Sequence, residues 1–280
     1  MKWLTLILMS SMLLAAPPDE KTLTLLQFVL SPSEDGTPFP SDYEFAPGEI
    51  VYLSCRVSGY ARQGEEPPKM YISYTIEARD AQGVLFVPVE SGKIAADLSS
   101  EDKQWMPKIR HTIEIPPLAD SGKYTLSLRV NDELSKASAS ASVSVEVRGH
   151  EVAPSTTLVV RNFRFLRSEE DAHALKVAAY APGDAVWARF DMTGYKIGEK
   201  NLHDVEYGLT VLRSDGTVAY EQPHAADEKN ETFYPQRYTP GILSLTLPKD
   251  IKKGEYTIVL TVRDNVGAQT CETREKFSVE

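Results

Sequence analysis

APGEIVYLSCRVSGY, residues 46–60, returns as APGDAVWARFDMTGY, residues 181–195. The offset is 135 throughout, with no gap. Upstream, Leu23, Phe28, Ser33 and Glu34 meet Leu158, Phe163, Ser168 and Glu169 at the same offset. Downstream, Tyr74 and Gly83 meet Tyr207 and Gly216 at offset 133, and Pro116, Gly122, Tyr124, Leu128 and Asp132 meet Pro248, Gly254, Tyr256, Leu260 and Asp264 at offset 132. Matching punctuation at a near-constant offset is the mark of a tandem duplication. The chain of 280 residues thus reads as one unit written twice.

Each unit reads as β. Val51, Leu53, Cys55 and Val57 alternate with polar or exposed neighbours, as do Ile72, Tyr74, Ile76 and Ala78. The same period of two runs through Ile109 to Ile115, Tyr124 to Val130, and Val143 to Val147. That period gives a strand one buried and one wet face, as in antiparallel sheet. Turn signals separate the runs, among them Pro47-Gly48, Asp80 to Gly83 and Pro116-Pro117. About seven strands per unit and no long helical period predict an all-β protein, with two antiparallel sheets packed face to face in each unit. The low-complexity run Ala137 to Val147 still alternates and predicts a terminal edge strand with its serines outward. The expected organisation is a signal peptide over residues 1–16, a first sandwich over 17–148, a linker over 149–155 and a second sandwich over 156–280.

VYLSCRV (residues 51–57) resembles the second strand of immunoglobulin domains, with Cys55 at the core cysteine. DSGKY (residues 120–124) resembles the segment that carries their tyrosine corner. The resemblance implies two tandem immunoglobulin-like β-sandwich domains, similar also to bacterial fibronectin type III-like and PKD-like repeats. It implies that Tyr124 and Tyr256 close a corner by bonding back to the chain upstream. The second core cysteine of that family would fall at Leu126, and the second unit has Phe190 and Ile258 at the pair. Apolar packing therefore replaces the inter-sheet disulfide in both units. The resemblance speaks to fold and says little of function.

Lys2 precedes the apolar run Trp3 to Leu14, followed by Ala15 and Ala16. This is the pattern of a secretory signal, too short to span a bilayer. It predicts export to the periplasm, the cell surface or the extracellular space, without stable membrane insertion after cleavage. The net charge of −10 argues against nucleic acid as a partner. Two cysteines exclude a disulfide-stapled scaffold and a cysteine-rich zinc module. Cys55 and Cys271 lie in separate units at inward positions, which predicts two buried free thiols and no disulfide.

The five histidines, at 111, 150, 173, 203 and 224, form no H-x-H or H-x-x-x-H pair, so no local metal clamp and no cofactor is expected. His203 and His224 read as solvated loop residues, and His111 as a residue at the rim of an apolar face. The acidic stretches Asp97 to Asp102 and Asp227 to Glu231 read as solvated loop charge. There is no G-x-S-x-G, phosphate-binding glycine loop or G-x-G-x-x-G, which argues against an enzyme.

The most informative surface is the loop before the fifth strand: Leu98 to Pro107 in the first unit and Asp227 to Tyr238 in the second. Trp105, Phe233, Tyr234 and Tyr238 are the candidate ligand-binding residues, either as exposed platforms for a sugar or protein partner or as a plug for the open end of the sandwich. The expected function is a non-catalytic, exported interaction or structural module whose partner is a protein or a cell-surface glycan. The alternatives are a carbohydrate-binding module using the loop aromatics, a periplasmic chaperone that offers Ala137 to Val147 to a client strand, and a hydrolase.

Overall fold

The computed structural model describes residues 22–280; the expected signal peptide, residues 1–16, lies outside the described residues. The protein is all-β. The first unit contains β1 (Thr24–Ser31), β2 (Glu44–Phe45), β3 (Ile50–Ser58), β4 (Lys69–Arg79), β5 (Glu90–Asp97), β6 (Lys108–Glu114), β7 (Gly122–Asp132) and β8 (Ser138–Val147). The second contains β9 (Val159–Leu166), β10 (Ala179–Tyr180), β11 (Ala185–Thr193), β12 (His203–Arg213), β13 (Val218–Asn230), β14 (Tyr238–Thr246), β15 (Gly254–Asp264) and β16 (Gln269–Val279).

Each unit packs a three-stranded sheet on a five-stranded one. The orders are β1-β3-β6 against β2-β8-β7-β4-β5, then β9-β11-β14 against β10-β16-β15-β12-β13. The eighth strand, beyond the seven expected, is the two-residue β2 or β10. It joins the last strand in parallel over two residues, Glu44 and Phe45 opposite Glu146 and Val147, and Ala179 and Tyr180 opposite Ser278 and Val279. Runs that short leave no periodic signal.

The quoted motif is explained residue by residue. Glu49 and Asp184 turn back to accept the amide N–H of Ala46 (2.9 Å) and Ala181 (2.8 Å), closing the turn that begins each copy. Val51, Leu53, Cys55 and Val57 are buried, as are Val186, Ala188, Phe190 and Met192. Gly59 and Gly194 have φ of 73° and 78°, and a Cβ there would lie 2.1 and 2.0 Å from the carbonyl oxygens of Thr22 and Thr157. Only glycine accepts both the left-handed backbone and that approach. Tyr60 and Tyr195 then donate to the carbonyls of Trp105 (2.7 Å) and Gln236 (2.9 Å), pinning the loop before the sixth strand of each copy.

The tyrosine corners are formed: Tyr124 Oη donates to the Asp120 carbonyl (3.1 Å) and Tyr256 Oη to the Lys252 carbonyl (2.7 Å). A second shared device is a buried carboxylate. Asp132 accepts from Ala61 N (2.6 Å) and Leu134 N (2.9 Å), while Asp264 accepts from Lys196 N (2.8 Å) and Val266 N (3.0 Å). Each ties the turn after the seventh strand to the loop after the third, which satisfies donors that burial would otherwise leave unpaired.

Four expectations are corrected. Cys55 is buried, but Cys271 is only half-buried because β16 borders solvent along most of its length; both thiols are free. Burial pushes the Cys55 thiol up to about 11, against one backbone contact from Leu26 that lowers it, which keeps it in the unreactive thiol form. Asp227 to Asn230 are not loop but the end of β13, paired with β12, their side chains exposed. Leu98 to Pro107 is not all loop either: a 3-10 turn spans Ser100–Gln104, capped by Ser99.

His203 is not a solvated loop residue. It opens β12 at 1% exposure, and neither ring nitrogen hydrogen-bonds to the protein. Burial lowers its pKa below the ordinary 6.5, against the opposing pull of Glu228 and Asp204. The unfolded chain takes up a proton near 6.5 that the native state refuses, so stability is full above that pH and falls as pH drops below it. Thermal melts of the parent should lose stability across this window, and His203→Leu should flatten the loss.

Candidate functional site: the junction between the sandwiches

The loop after β4, Asp80 to Gly83, is a tight turn built on Asp80. Its Oδ1 accepts the N–H of Gln82 (2.9 Å) and Val84 (2.8 Å), which leaves Oδ2 pointing out of the end of the first unit. From the second unit, Tyr234 Oη donates to that Oδ2 at 2.8 Å and Arg237 Nη2 at 2.7 Å. Arg237 Nη1 reaches Asp120 Oδ2 at 2.9 Å and the Tyr234 hydroxyl at 2.7 Å. Asp120 is the residue whose carbonyl receives the Tyr124 hydroxyl, so the tyrosine corner of the first unit supports one arm of the contact.

The electrostatics follow from burial. The Asp80 side chain is fully buried. Burial alone would raise its pKa, but the Arg237, Val84 and Tyr234 hydrogen bonds outweigh it and hold the carboxyl below its ordinary 3.8. Burial, the Tyr124 hydroxyl and Asp80 all push the Tyr234 phenol up, so it remains a donor. Arg237 is raised as well: burial opposes this, and Asp80, Tyr234 and Asp120 prevail.

The latch is specific to this junction. Asp80 and Asp120 correspond to Arg213 and Lys252 in the second unit, by the same turn bond (Asp80 N to Val84 O, Arg213 N to Thr217 O) and the same corner bond. The far end of the second unit therefore carries basic residues where the first carries the acidic acceptors.

Beside the latch, the linker and both units line a cleft of about 840 Å³. His150, from the linker, places Nε2 at 2.7 Å from Asp191 Oδ2, which also accepts from Asn162 Nδ2 at 2.8 Å. Asp191 and Thr193 lie on the outward face of β11, yet both are buried, because the linker and the loop before β14 cover them. The Tyr238 ring packs 5.5 Å from His150, and burial, with Asp191 and Asp120 nearby, pushes its phenol up to about 12. Hydroxyls of Ser121, Ser155 and Thr193 are each committed to a backbone carbonyl, of Gly149 (3.2 Å), Thr157 (2.7 Å) and Arg237 (2.9 Å). None is aligned on His150 as a nucleophile on its base would be.

The four aromatic candidates divide. Trp105 (39%) and Phe233 (51%) are exposed, whereas Tyr234 (8%) and Tyr238 (4%) are buried and are not stacking platforms. Tyr234 is buried because the second unit's loop plugs into the end of the first, and Tyr238 because His150 of the linker packs on it. Sequence reasoning missed Asp80, Asp120, Arg237, His150 and Asp191. The available signal was the pair of charge inversions within the repeat, Asp80 against Arg213 and Asp120 against Lys252.

No protein-family model matches the chain, and no curated protein matches it. Among solved structures, the chain is similar to the C-terminal domain of the Streptococcus agalactiae antigen I/II polypeptide BspA, at 10% identity over 92% of this chain and 99% of that one, TM-score 0.26. It is similar to the C-terminal domain of the Streptococcus pyogenes antigen I/II-family protein AspA, at 10% identity over 94% and 100%, TM-score 0.28. It is also similar to a family 123 glycoside hydrolase from Clostridium perfringens, at 13% identity over 44% of this chain and 27% of that one, TM-score 0.30. At these identities and TM-scores the likenesses assign neither a family nor an activity. Fold and junction define an all-β protein of two docked antiparallel, immunoglobulin-like sandwiches.

Arg237→Ala strands a buried carboxylate and should cost roughly 2–3 kcal/mol, below the figure for a fully enclosed pair because the guanidinium is partly exposed. Asp80 has a depressed native pKa, so its stabilisation is complete above the ordinary 3.8 and is lost as pH falls below it. Acid unfolding followed by circular dichroism should show this loss in the parent and a weaker one in Arg237→Ala.

Proposed function

We propose that this chain is an exported, non-catalytic interaction module that holds its binding surfaces on a fixed two-sandwich body. One observation carries the reading: the buried contact of Arg237 and Tyr234 with Asp80 and Asp120, which removes the freedom a short linker would otherwise leave. Junctions between domains of one chain are mobile by default unless the interface is large and hydrophobic; here three hydrogen bonds from Tyr234 and Arg237 to Asp80 and Asp120 oppose that motion. A junction built to be rigid suits a protein that presents partner surfaces at a set angle. Export is supported by Lys2 and the apolar run Trp3 to Leu14.

Small-angle scattering of the intact chain should fit a single arrangement of the two units, and Arg237→Ala should broaden it. A parent chain that already samples many angles contradicts the reading. Fractionation of cells expressing the chain with and without residues 1–16 tests the destination, and export should require them.

A second reading, carbohydrate binding, keeps one specific support in the exposure of Trp105 and Phe233. Retention on immobilised glycans that Trp105→Ala or Phe233→Ala abolishes would favour it.

A further inference from the structure

Four sheets present eight edges, and an unpaired strand edge invites pairing unless something guards it. In this molecule β5, β6 and β9 carry exposed charges at Lys93, Arg110 and Arg161. Prolines interrupt β13 and β14 at Pro223 and Pro240, and a bulge between Leu26 and Val29 breaks β1. The remaining two edges are the last strands of the two units, β8 and β16, each hydrogen-bonded to its two-residue partner only at its end.

These two edges are equivalent by position and opposite in character. Val147 stands opposite Gly122 as Val279 stands opposite Gly254, so Ser140, Ser142 and Ser144 correspond to Glu272, Arg274 and Lys276. The copy in the second unit is guarded by three charged side chains. Across Ser138 to Val145 the copy in the first unit has no charge, no proline and no bulge.

The Ala137 carbonyl accepts from Asp132 N, toward β7, and Arg148 N donates to the Phe45 carbonyl, away from it, each at 2.9 Å. Successive residues of a strand alternate direction. The N–H and C=O of Ser138, Ser140, Ser142 and Ser144 therefore point outward, where no described residue pairs with them, and all four serines are exposed.

We propose that the free edge of β8 pairs antiparallel with the same edge of a second copy of this chain, about a two-fold axis through Ala141. Strands in one sheet must match face to face. This register places Ser138 opposite Ser144 and Ser140 opposite Ser142 of the second copy on the outer face. On the inner face Ala139 meets Val143. Every outward N–H and C=O of the four serines then finds a partner, and the two five-stranded sheets become one. The contact is self-complementary, as a two-fold interface must be. Charge permits it: two chains of −10 repel, and neither copy presents a charge along Ser138 to Val145, an edge that no bulge or proline interrupts. Beyond Val145, β2 occupies the edge and ends the pairing.

Sedimentation velocity of the intact chain over a wide concentration range tests this. The parent should approach twice the mass of one chain as concentration rises. Ser142→Pro removes an outward N–H without touching a bond to β7, and should weaken self-association about tenfold or more while the variant still melts cooperatively. Ser140→Lys combined with Ser142→Lys, two exposed sites, places lysine opposite lysine and should do the same. A parent that stays a single chain at every concentration overturns the proposal, as does a dimer that persists in both folded variants. A single chain would leave the two-sandwich module of the preceding subsection standing.

Discussion

One carboxylate divides its two oxygens between the two halves of the molecule. Oδ1 of Asp80 holds its own turn through Gln82 and Val84, and Oδ2 receives Tyr234 and Arg237 from the other sandwich. A turn that is already closed is a rigid acceptor, so little ordering is left to oppose the contact across the junction. Asp120 is fixed in the same manner, through the tyrosine corner. Two devices that stabilise an isolated sandwich thus become the means by which one sandwich grips the next. The linker then crosses a surface already in place, and His150 can settle onto Asp191 beside Asn162.

The duplication explains both what recurs and what departs from recurrence. Shared features are those an isolated sandwich needs: Glu49 and Asp184 in the opening turn, Gly59 and Gly194 at the close approach, Tyr124 and Tyr256 at the corner, Asp132 and Asp264 under the last turn. Departures fall at one end of the sandwich and along the edge of its last strand. Asp80 and Asp120 against Arg213 and Lys252 lie at a docked end and a free end. Ser140 and Ser142 against Glu272 and Arg274 lie at an unguarded edge and a guarded one.

The fold was legible because period-two alternation and the turn residues are local signals, and because two copies state them twice. Val51 to Val57 and Tyr124 to Val130 have the burial their pattern predicts. The strands β2 and β10 were invisible, since two residues carry no period. Tyr234 and Tyr238 were legible as important aromatics, and a plug was one of their two readings. Tyr234 is buried against Asp80, more than a hundred residues away, and Tyr238 against His150 of the linker, and no local pattern states that. His203 misled for a related reason: Gly198 to Asn201 before it and Asp204 after it read as a polar loop, while the Tyr195 ring that packs 5.8 Å from it comes from the loop after β11.

A double-mutant cycle on Asp80→Asn and Arg237→Met, read by chemical denaturation near neutral pH, addresses the grip between the sandwiches most directly. If one buried charge pair joins the two copies into a single body, the two substitutions should be non-additive by about 1–3 kcal/mol. Additive effects would mean that the two side chains do not sense each other in solution, and would contradict a junction centred on this charge pair.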